Sequence, residues 1–335
     1  MSKLYVGLDY HQSGVQVCVL DAKGRILSNG TFANEWQRIV EAVQRHGSDV
    51  EAAIEACTGA ANLADELLQH SGWSVNLAHP GYVARIKQSP DKTDFSDARL
   101  LADLVRVGYL PKVWLAPESL RELRRVVRYR QQLVNERRSI KLRVSALLRE
   151  ARLKGPDRPW TKAWLKWLEE ARLPAQSRWI ASRLVIKLTG LAEEIQLVEK
   201  RLESLIADDS TTQKLLELDG IGLVTAVTLR AEIGVFNRFR TGKQLARFCG
   251  VTPRNASSGQ RQADAGLIRA GNRELRRTVI QTAHRLMNLD DRWSRFKAQL
   301  QDRGKPYCVI VAAVSNRWLR WLYHQMQHSM TELAV

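Results

Sequence analysis

The chain has 335 residues, enough for about two domains, and 44% of them are hydrophobic, too large a share for an intrinsically disordered protein. Lysine and arginine number 52 against 35 aspartate and glutamate residues, and the resulting formal net charge of +17 favours a polyanionic partner, most often nucleic acid. No apolar run approaches the roughly 18 residues of a membrane-spanning helix, and the N-terminal segment has no secretory leader, so we expect a cytoplasmic protein with no membrane partner.

Cysteine and histidine usage argues against a zinc site. The four cysteines are far apart in sequence and form no CxxC pair, so neither a zinc knuckle nor a disulfide framework is expected. The seven histidines do not cluster in sequence either. We therefore expect any metal site in this chain to consist of carboxylates.

The first third of the chain has the pattern of an α/β domain. Apolar, β-prone segments at residues 4–9, 14–20 and 25–32, joined by tight turns, predict an antiparallel meander. Helical stretches then alternate with strands predicted at 51–56 and 73–78. This order of elements resembles that of a ribonuclease H-like (RuvC-like) fold, in which the first strand is central and the fourth lies parallel beside it.

The middle third is helical and basic. Residues 121–154 contain twelve lysine or arginine residues and three glutamates, and their apolar residues recur every seven positions. A second segment, 176–206, spaces its apolar residues alternately by four and three. Both patterns predict a helical hairpin or a dimerising coiled coil. The first heptad consists of Val126, Leu133, Ile140 and Leu147.

The segment between these two helices, residues 155–174, contains three prolines and is predicted to be a broken connector. Trp160, Trp164 and Trp167 stand there at helical spacing. That spacing is more typical of core residues than of platforms for stacked bases.

The basic face of the first long helix can follow the phosphate backbone of a nucleic acid. The alternative is the solvated face of a coiled coil. A local surplus of nine positive charges, twelve minus three, favours the nucleic-acid interpretation. The candidate contact residues are Arg124, Arg128, Arg137, Arg138 and Lys141.

The last third begins with residues 218–234, whose sequence is typical of a helix-hairpin-helix with a glycine turn. Backbone N–H groups at Gly220 and Gly222 can hold a phosphate without reading the base sequence, and the alternative is an ordinary helical corner. A polar loop, a basic helix and an apolar C-terminal helix are predicted to follow, at residues 250–260, 270–286 and 308–326.

Two acidic residues stand at the ends of predicted strands. Asp9 follows the apolar first strand, where a carboxylate is costly unless it caps the next turn or binds a cation. Glu55 ends the predicted fourth strand, and it would meet Asp9 at one edge of the sheet if the two strands pair in parallel. The alternative for Glu55 is a surface residue that precedes a turn.

Asp94 and Asp97 lie three residues apart, so both can lie on one face of a helix that we expect to begin at Asp97. The alternative is ordinary N-terminal capping, which the helix dipole favours. Together with Asp9 and Glu55, they recur where a ribonuclease H-like cleft collects its acids. Carboxylate oxygens suit Mg²⁺ or Mn²⁺, and two such ions can clamp the attacking and leaving oxygens of a phosphodiester.

A serine pair in the polar loop is the candidate nucleophile. Ser257 and Ser258 precede Gly259, and a plain serine–glycine turn is the alternative. No histidine is near in sequence to act as a base, so a metal ion would have to activate the hydroxyl. Nearby arginines would hold a phosphate and stabilise developing negative charge. They are Arg254, Arg261, Arg269, Arg273, Arg276 and Arg277.

In chain order, these motifs resemble one family. They are GLDYH with Asp9, AIEACTG with Glu55, KTDFSDARLLA with Asp94 and Asp97, the GIG hairpin, and SSG followed by AGNRELRR. The ordered set extends over nearly the whole chain. It resembles the transposases of the insertion-sequence 110 and 1111 group, also called DEDD transposases or bridge-RNA-guided recombinases.

The resemblance implies three domains: a RuvC-like α/β domain at 1–112, a basic coiled-coil region at 113–208, and a helical C-terminal transposase domain with the helix-hairpin-helix at 209–335. It implies that the acids bind Mg²⁺, or Mn²⁺ in its place, and that a serine attacks DNA to form a covalent phosphoserine. Ser258 fits the serine position, and Ser257 stays an alternative because spacing does not decide between them. The implied metal ligands are Asp9, Glu55, Asp94 and Asp97.

The resemblance also implies the partners. A guide (bridge) RNA encoded by the element would pair with donor and target DNA. Half-sites would combine across the protomers of a homo-oligomer, a dimer that assembles to a tetramer and is nucleoid-associated when active. The leading hypothesis is thus an RNA-guided DNA recombinase that inserts and excises a mobile element.

Two other functions stay open. A RuvC-like nuclease, such as a junction resolvase that uses metal-activated water, would share the acids but need no serine. A non-catalytic nucleic-acid scaffold, in which the acids only cap helices, would leave an acid in a central strand unexplained.

Overall fold

The computed structural model describes residues 3–86, 93–255, 264–268 and 271–331. They belong to two compact units, Met1–Ala116 and Pro117–Val335. The first unit is mixed α/β and the second is mainly helical, as predicted. None of the helices in these residues combines the length and hydropathy that crossing a membrane requires. The structure divides the chain after Ala116, and the predicted division into three domains at residues 112 and 208 stays a prediction.

The first unit is built on one six-stranded sheet. Its elements are β1 (Leu4–Tyr10), β2 (Val15–Leu20), β3 (Ile26–Phe32), α1 (Trp36–Gln44), β4 (Val50–Glu55), α2 (Ala60–His70), β5 (Ser74–Ala78), α3 (Pro80–Ile86), α4 (Asp94–Arg106) and β6 (Lys112–Val113). The strand order is β3–β2–β1–β4–β5–β6. Since β1 is antiparallel to β2 and parallel to β4, the predicted meander and the predicted pairing of the first and fourth strands are confirmed.

Side-chain alternation in β1 gives the sheet two different faces. Leu4, Val6 and Leu8 are buried in a core shared with α1 and α2. The intervening Gly7 and Asp9 belong to the opposite face, on which α4 packs. The central strand therefore directs its one acid toward the helix whose first turn carries two more.

Helix α4 begins earlier than predicted. The expected start at Asp97 is wrong, because Thr93 caps the helix and Asp94 is its first residue. The Thr93 hydroxyl accepts a hydrogen bond of 3.2 Å from the Ser96 N–H, and the Ser96 hydroxyl accepts one of 3.3 Å from the Thr93 N–H. This capping box places both acids in the first helical turn.

The second unit consists of two long helices followed by a compact helical region. Its elements are α5 (Glu118–Glu150), α6 (Lys162–Glu170), α7 (Ala175–Leu205), α8 (Ser210–Leu216), α9 (Leu223–Ile233), a 3₁₀ turn (Phe236–Arg238), α10 (Gly242–Phe248), β7 (Pro253–Asn255), β8 (Asp264–Leu267), α11 (Arg273–Leu289), α12 (Asp291–Asp302) and α13 (Tyr307–Thr331). The core of the compact region forms around α13, in which Trp318 is fully buried.

Helices α5 and α7 pack against each other within the chain, so the hairpin is present. The predicted heptad is displaced by one residue at both ends of α5. Val127 and Leu148 are buried, whereas Val126 and Leu147 are only partly buried. The reason is that α5 packs against α9 near its start and against α6 near its end, as well as against α7. Its buried residues therefore contact three different helices.

The predicted broken connector contains a helix, α6, whose cap Thr161 accepts a hydrogen bond from the Trp164 N–H. The three tryptophans form a cluster, with ring centroids of Trp164 at 4.6 Å from Trp160 and 5.8 Å from Trp167. They join the core at the end of the α5–α7 pair. Their predicted core role is confirmed.

Candidate active site

Asp9 is the penultimate residue of β1, and Glu55 is the last residue of the adjacent parallel strand β4. The register pairs Leu8 of β1 with Ile54 of β4, the residues immediately before the two acids. Leu8 and Ile54 are fully buried on the α1–α2 side of the sheet. By alternation, the carboxylates that follow lie on the α4 side, at the same edge of the sheet.

Gly7 brings α4 onto this face. A Cβ atom at Gly7 would lie 1.8 Å from the carbonyl oxygen of Ala98, so a larger residue would collide with the backbone of the helix. The close contact fixes α4 against β1 and with it the first helical turn, which carries Asp94 and Asp97. Four acids from three elements are therefore directed to one edge.

His11 forms a compact donor group with Asp9 and Asp94. Its Nε2 lies 3.3 Å from Asp9 Oδ2 and 3.5 Å from Asp94 Oδ1, and one donor atom from each residue lies within 4.8 Å of the other two. An imidazole therefore lies among the carboxylates from which the metal site was expected to be built. Only the position of His11, two residues after a strand-end acid, could have indicated it, because the histidines do not cluster in sequence.

This donor group fits a divalent cation. Adjacent ligands of an octahedral Mg²⁺ ion are about 3 Å apart, close to the two separations measured from His11. Carboxylate oxygens suit Mg²⁺ and Mn²⁺ alike, whereas an imidazole nitrogen is a better ligand for a transition-metal ion. Among the described residues, Glu55 and Asp97 fall outside this tightest group.

The serine pair lies outside the described residues, as do Arg261 and Arg269. On either side of it, β7 and β8 pair antiparallel, Pro253 with Leu267 and Asn255 with Asp264. The loop predicted at 250–260 is therefore partly wrong, because residues 253–255 form a strand. Three residues that begin with proline are too short and too irregular to show a β pattern in sequence.

Two family models match the chain. A DEDD transposase model of the IS110 type matches residues 6–152, which include all four acids, and a model of the IS116/IS110/IS902 transposase family matches residues 212–298, which include the serine pair. The transposase for insertion sequence element IS1328 of Yersinia enterocolitica is 30% identical over 235 residues, which are 69% of this chain and 69% of that protein. The chain belongs to the IS110 family of transposases.

Two other relatives span almost the whole of this transposase. The transposase for insertion sequence element IS1111A of Coxiella burnetii is 25% identical and covers 94% of this chain and 88% of its own length. A pilin gene-inverting protein of Moraxella lacunata is 25% identical and covers 96% and 95% respectively. Family membership makes this chain a DNA transposase, an enzyme that binds DNA, and the DEDD type suggests dependence on a divalent metal ion.

The surroundings of Asp9 in this transposase disfavour its negative charge. Burial is the largest cause of its raised pKa, and repulsion from Asp97 and Asp94 raises the pKa further. His11 opposes the rise through its charge and its hydrogen bond. A bound cation would relieve both the burial and the repulsion, which explains why the fold can hold these acids together.

Glu55 acts on the same region as Asp9. Burial is the main cause of the raised pKa of the Cys57 thiol, and the negative charges of Glu55 and Asp9 both add to it. The influence of both acids on one thiol agrees with the strand register that brings them to one edge.

Two arginines predicted to contact nucleic acid are engaged within the chain. Arg128 donates two hydrogen bonds, of 2.9 and 3.1 Å, to the Glu232 carboxylate of α9. Arg124 lies 3.5 Å from the same carboxylate and donates to the carbonyl of Ala231. These contacts join α5 to α9 and neutralise a buried acid, so a phosphate would have to compete with Glu232.

The other candidates on α5 lie further along the helix. Arg138 is exposed, and Arg137 is half-buried. Lys141 lies 5.0 Å from the centre of the Trp160 ring. Burial lowers the pKa of Lys141, and the charge of Arg137 lowers it further, which marks this part of the helix as a concentration of positive charge.

The glycine turn has the predicted form. Gly220 has a φ of +74°, and a Cβ atom there would lie 2.7 Å from Leu286 Cδ2, so the turn requires glycine. Gly222 caps α9. Helix α8, the turn and α9 provide two helices joined at a glycine turn, an arrangement that both the predicted helix-hairpin-helix and the alternative of an ordinary helical corner share. Contact of this turn with phosphate stays a prediction.

The remaining predicted arginines lie on β7 and at the start of α11. Asn272 caps α11 by accepting hydrogen bonds from two backbone N–H groups. Arg276 donates to the carbonyl of Gly271, and Arg277 donates to Asn135 of α5 at 3.2 Å. Arg254 and Arg273 are exposed.

Proposed function

We propose that this transposase cleaves and rejoins DNA strands at a centre in which Asp9, Glu55, Asp94 and Asp97 hold divalent cations, Mg²⁺ or Mn²⁺. His11 is proposed as a further ligand. The observation that carries the proposal is the convergence of a central-strand acid, a parallel-strand acid and the first turn of α4 on one edge of one sheet. The order of its strands supports a RuvC-like assignment of this domain.

The bound cation would supply a positive charge that lowers the pKa of a hydroxyl and neutralises phosphate oxygens. The chain's own groups do the rest. Ser258, with Ser257 as the alternative, attacks phosphorus through its hydroxyl oxygen. An O–P bond forms, the bond to one sugar oxygen breaks, and that oxygen leaves as a hydroxyl with the proton that the serine has given up. Exposed arginines such as Arg254 and Arg273 hold the phosphate.

Strand rejoining is what separates this proposal from a RuvC-like nuclease. A serine ester conserves the energy of the phosphodiester, so a free hydroxyl can reverse the attack and join a new strand. A nuclease that uses water releases a product that cannot rejoin without further energy. The relative named for inverting a pilin gene favours rejoining, since inversion needs both cutting and joining.

Guidance by a bridge RNA is proposed on the family resemblance and on the net charge of +17. Pairing of RNA with donor and target DNA would then choose the sequence, and the protein would bind phosphate. Such a protein would act in the cytoplasm, at the nucleoid. We keep the division into RuvC-like, coiled-coil and transposase domains as the functional division of the chain.

A homo-oligomer, a dimer that assembles to a tetramer, is proposed on the same resemblance. Apolar side chains on the outer side of the α5–α7 pair support it. Trp179, Ile186 and Leu197 of α7 are each at least 60% exposed. Exposed apolar residues at this spacing are typical of a helix that meets a second chain.

The test is detection of protein-linked DNA after denaturation. The purified transposase is incubated with its guide RNA, donor and target DNA and Mg²⁺, and the products are separated under denaturing conditions. Ser258→Ala is expected to abolish the adduct, whereas Ser257→Ala is expected to keep it. An adduct formed by Ser258→Ala but not by Ser257→Ala would move the role to Ser257. Cleavage by both variants without any adduct would replace the recombinase with the nuclease.

A further inference from the structure

A pocket of about 480 Å³ lies between α12 and α13, in the second unit. It is lined by three arginines, Arg292, Arg295 and Arg317, and by the aromatic rings of Phe296 and Trp321. Among the residues that the structure describes, no carboxylate side chain lines it. None of these residues belongs to the proposed acidic centre or to the serine segment.

Two of the three arginines lie over aromatic rings. The Arg317 guanidinium lies 4.4 Å from the centre of the Phe296 ring, and that of Arg292 lies 5.5 Å from the Trp321 ring. Stacking holds a guanidinium flat and leaves its N–H edge available. Arg295 donates from Nε to the carbonyl of Asp291 at 3.2 Å. Within the described part of the chain, the guanidinium groups of Arg292 and Arg317 form no hydrogen bond or ion pair.

Such a pocket offers two kinds of contact, one charged and one aromatic, that a single ligand can make. Guanidinium edges without an acid beside them select a phosphate. Aromatic rings and flat guanidinium planes offer a surface on which an unstacked base can lie. A duplex phosphate backbone would use the charges but leave the aromatic surface without a partner, because its bases are already stacked.

We propose that this pocket binds an unpaired nucleotide of a single-stranded nucleic acid, with its base on the arginine–aromatic stacks and its phosphate on the guanidinium edges. The single strand can be RNA or a DNA strand opened during recombination, since both present the same base and phosphate. The proposal deepens the proposed nucleic-acid chemistry of the transposase but needs neither the acids nor the serine.

The experiment compares two charge-matched double variants of the full-length protein. Arg292→Gln/Arg317→Gln removes two charges from the pocket. Arg303→Gln/Lys305→Gln removes two exposed charges close by that do not line it. Binding of a labelled 12-nucleotide uridine RNA, the matching thymidine DNA and a DNA duplex is measured by fluorescence anisotropy at fixed salt.

The pocket variant is expected to bind both single strands about tenfold more weakly than the control variant does, while the two variants bind the duplex equally. A stronger effect on RNA assigns the pocket to RNA, and a stronger effect on DNA assigns it to an opened strand. Equal losses for the two variants on every probe would overturn the proposal, since only net charge would then matter.

A second measurement tests stacking directly. A single 2-aminopurine in the strand is expected to lose fluorescence on binding the wild-type protein and the control variant, but much less on binding Trp321→Leu. Circular dichroism checks that Trp321→Leu keeps its helices. If that variant loses them, the quenching is measured on Arg292→Gln/Arg317→Gln instead. Quenching that is unchanged in both pocket variants would contradict the proposal. Failure of the serine-adduct test would leave these binding measurements unaffected.

Discussion

The acidic edge of the first unit and the basic helix α5 of the second unit differ in how their charges are arranged. Each arrangement lies within a single unit. At the acidic edge, like charges are forced together by packing, through a glycine that lets a helix backbone touch a strand. On α5, opposite charges meet, and Glu232 draws two arginines toward α9. The first arrangement opposes stability, and a bound cation would relieve it, whereas in the second the opposite charges neutralise each other and the arginine charge is withdrawn from the surface.

This difference predicts its largest effect at Asp9. Asp9→Asn is expected to reduce DNA cleavage by more than about a hundredfold, the loss that even an indirect partner of a metal can cause. The same change is expected to raise the free energy of unfolding without a cation, because it removes a buried, repelled charge. Cleavage assays and chemical denaturation in a chelator test the two effects. Lower stability together with lost activity would mean that Asp9 is a structural residue.

The raised pKa of Asp9 also predicts the direction in which folding stability changes with pH. Its folded pKa lies above its unfolded value, so the folded protein binds more protons between the two. Without a cation, the contribution of Asp9 to stability is therefore greatest at low pH and is lost as the pH rises through the folded pKa. Asp9→Asn should flatten this part of the stability–pH curve. A curve identical to that of the wild type would show that Asp9 does not titrate in this way.

Packing at Gly7 is expected to give the next largest effect. Gly7→Ala should lower the free energy of unfolding by about 3 kcal/mol, because its Cβ collides with the Ala98 carbonyl. Since α4 must move, the variant should also lose binding of Mn²⁺, measured by electron paramagnetic resonance. Gly190→Ala in the middle of α7 is the control, because a Cβ there meets nothing within 4 Å. It should gain up to about 1 kcal/mol.

Much of this arrangement follows from sequence, and the exceptions share a cause. The antiparallel meander was predictable because its three strands are consecutive and joined by tight turns. The parallel pairing that brings Asp9 and Glu55 to one edge was expected from the resemblance to a ribonuclease H-like order of elements. The roles of Arg124 and Arg128 were not, since their partner Glu232 lies about a hundred residues away and only the fold brings it near. His11 was missed for a similar reason, because its nearest acids come from two different elements.

Glu232 tests the basic side of the comparison. Glu232→Gln leaves two arginines against an uncharged partner in a buried place and is expected to cost about 3 kcal/mol. Glu199→Gln is the matched change, because Arg130 pairs with it at 2.6 Å in a more exposed position. That variant should cost about 1 kcal/mol or less. Equal losses would mean that burial does not set the strength of these pairs.

The smallest expected effect is that of replacing His11. It distinguishes two roles for this residue, a ligand of the cation or a group that only neutralises Asp9. If His11 is a cation ligand, His11→Ala should weaken Mn²⁺ binding about tenfold and Mg²⁺ binding less, since the imidazole nitrogen favours the transition metal. If it only neutralises Asp9, the variant should weaken neither ion, because a cation performs the same neutralisation. Titration of the cation-free protein by calorimetry with each ion separates the two. His70→Ala, at the far end of α2, is the control, and the ratio of the two affinities should change only in the His11 variant.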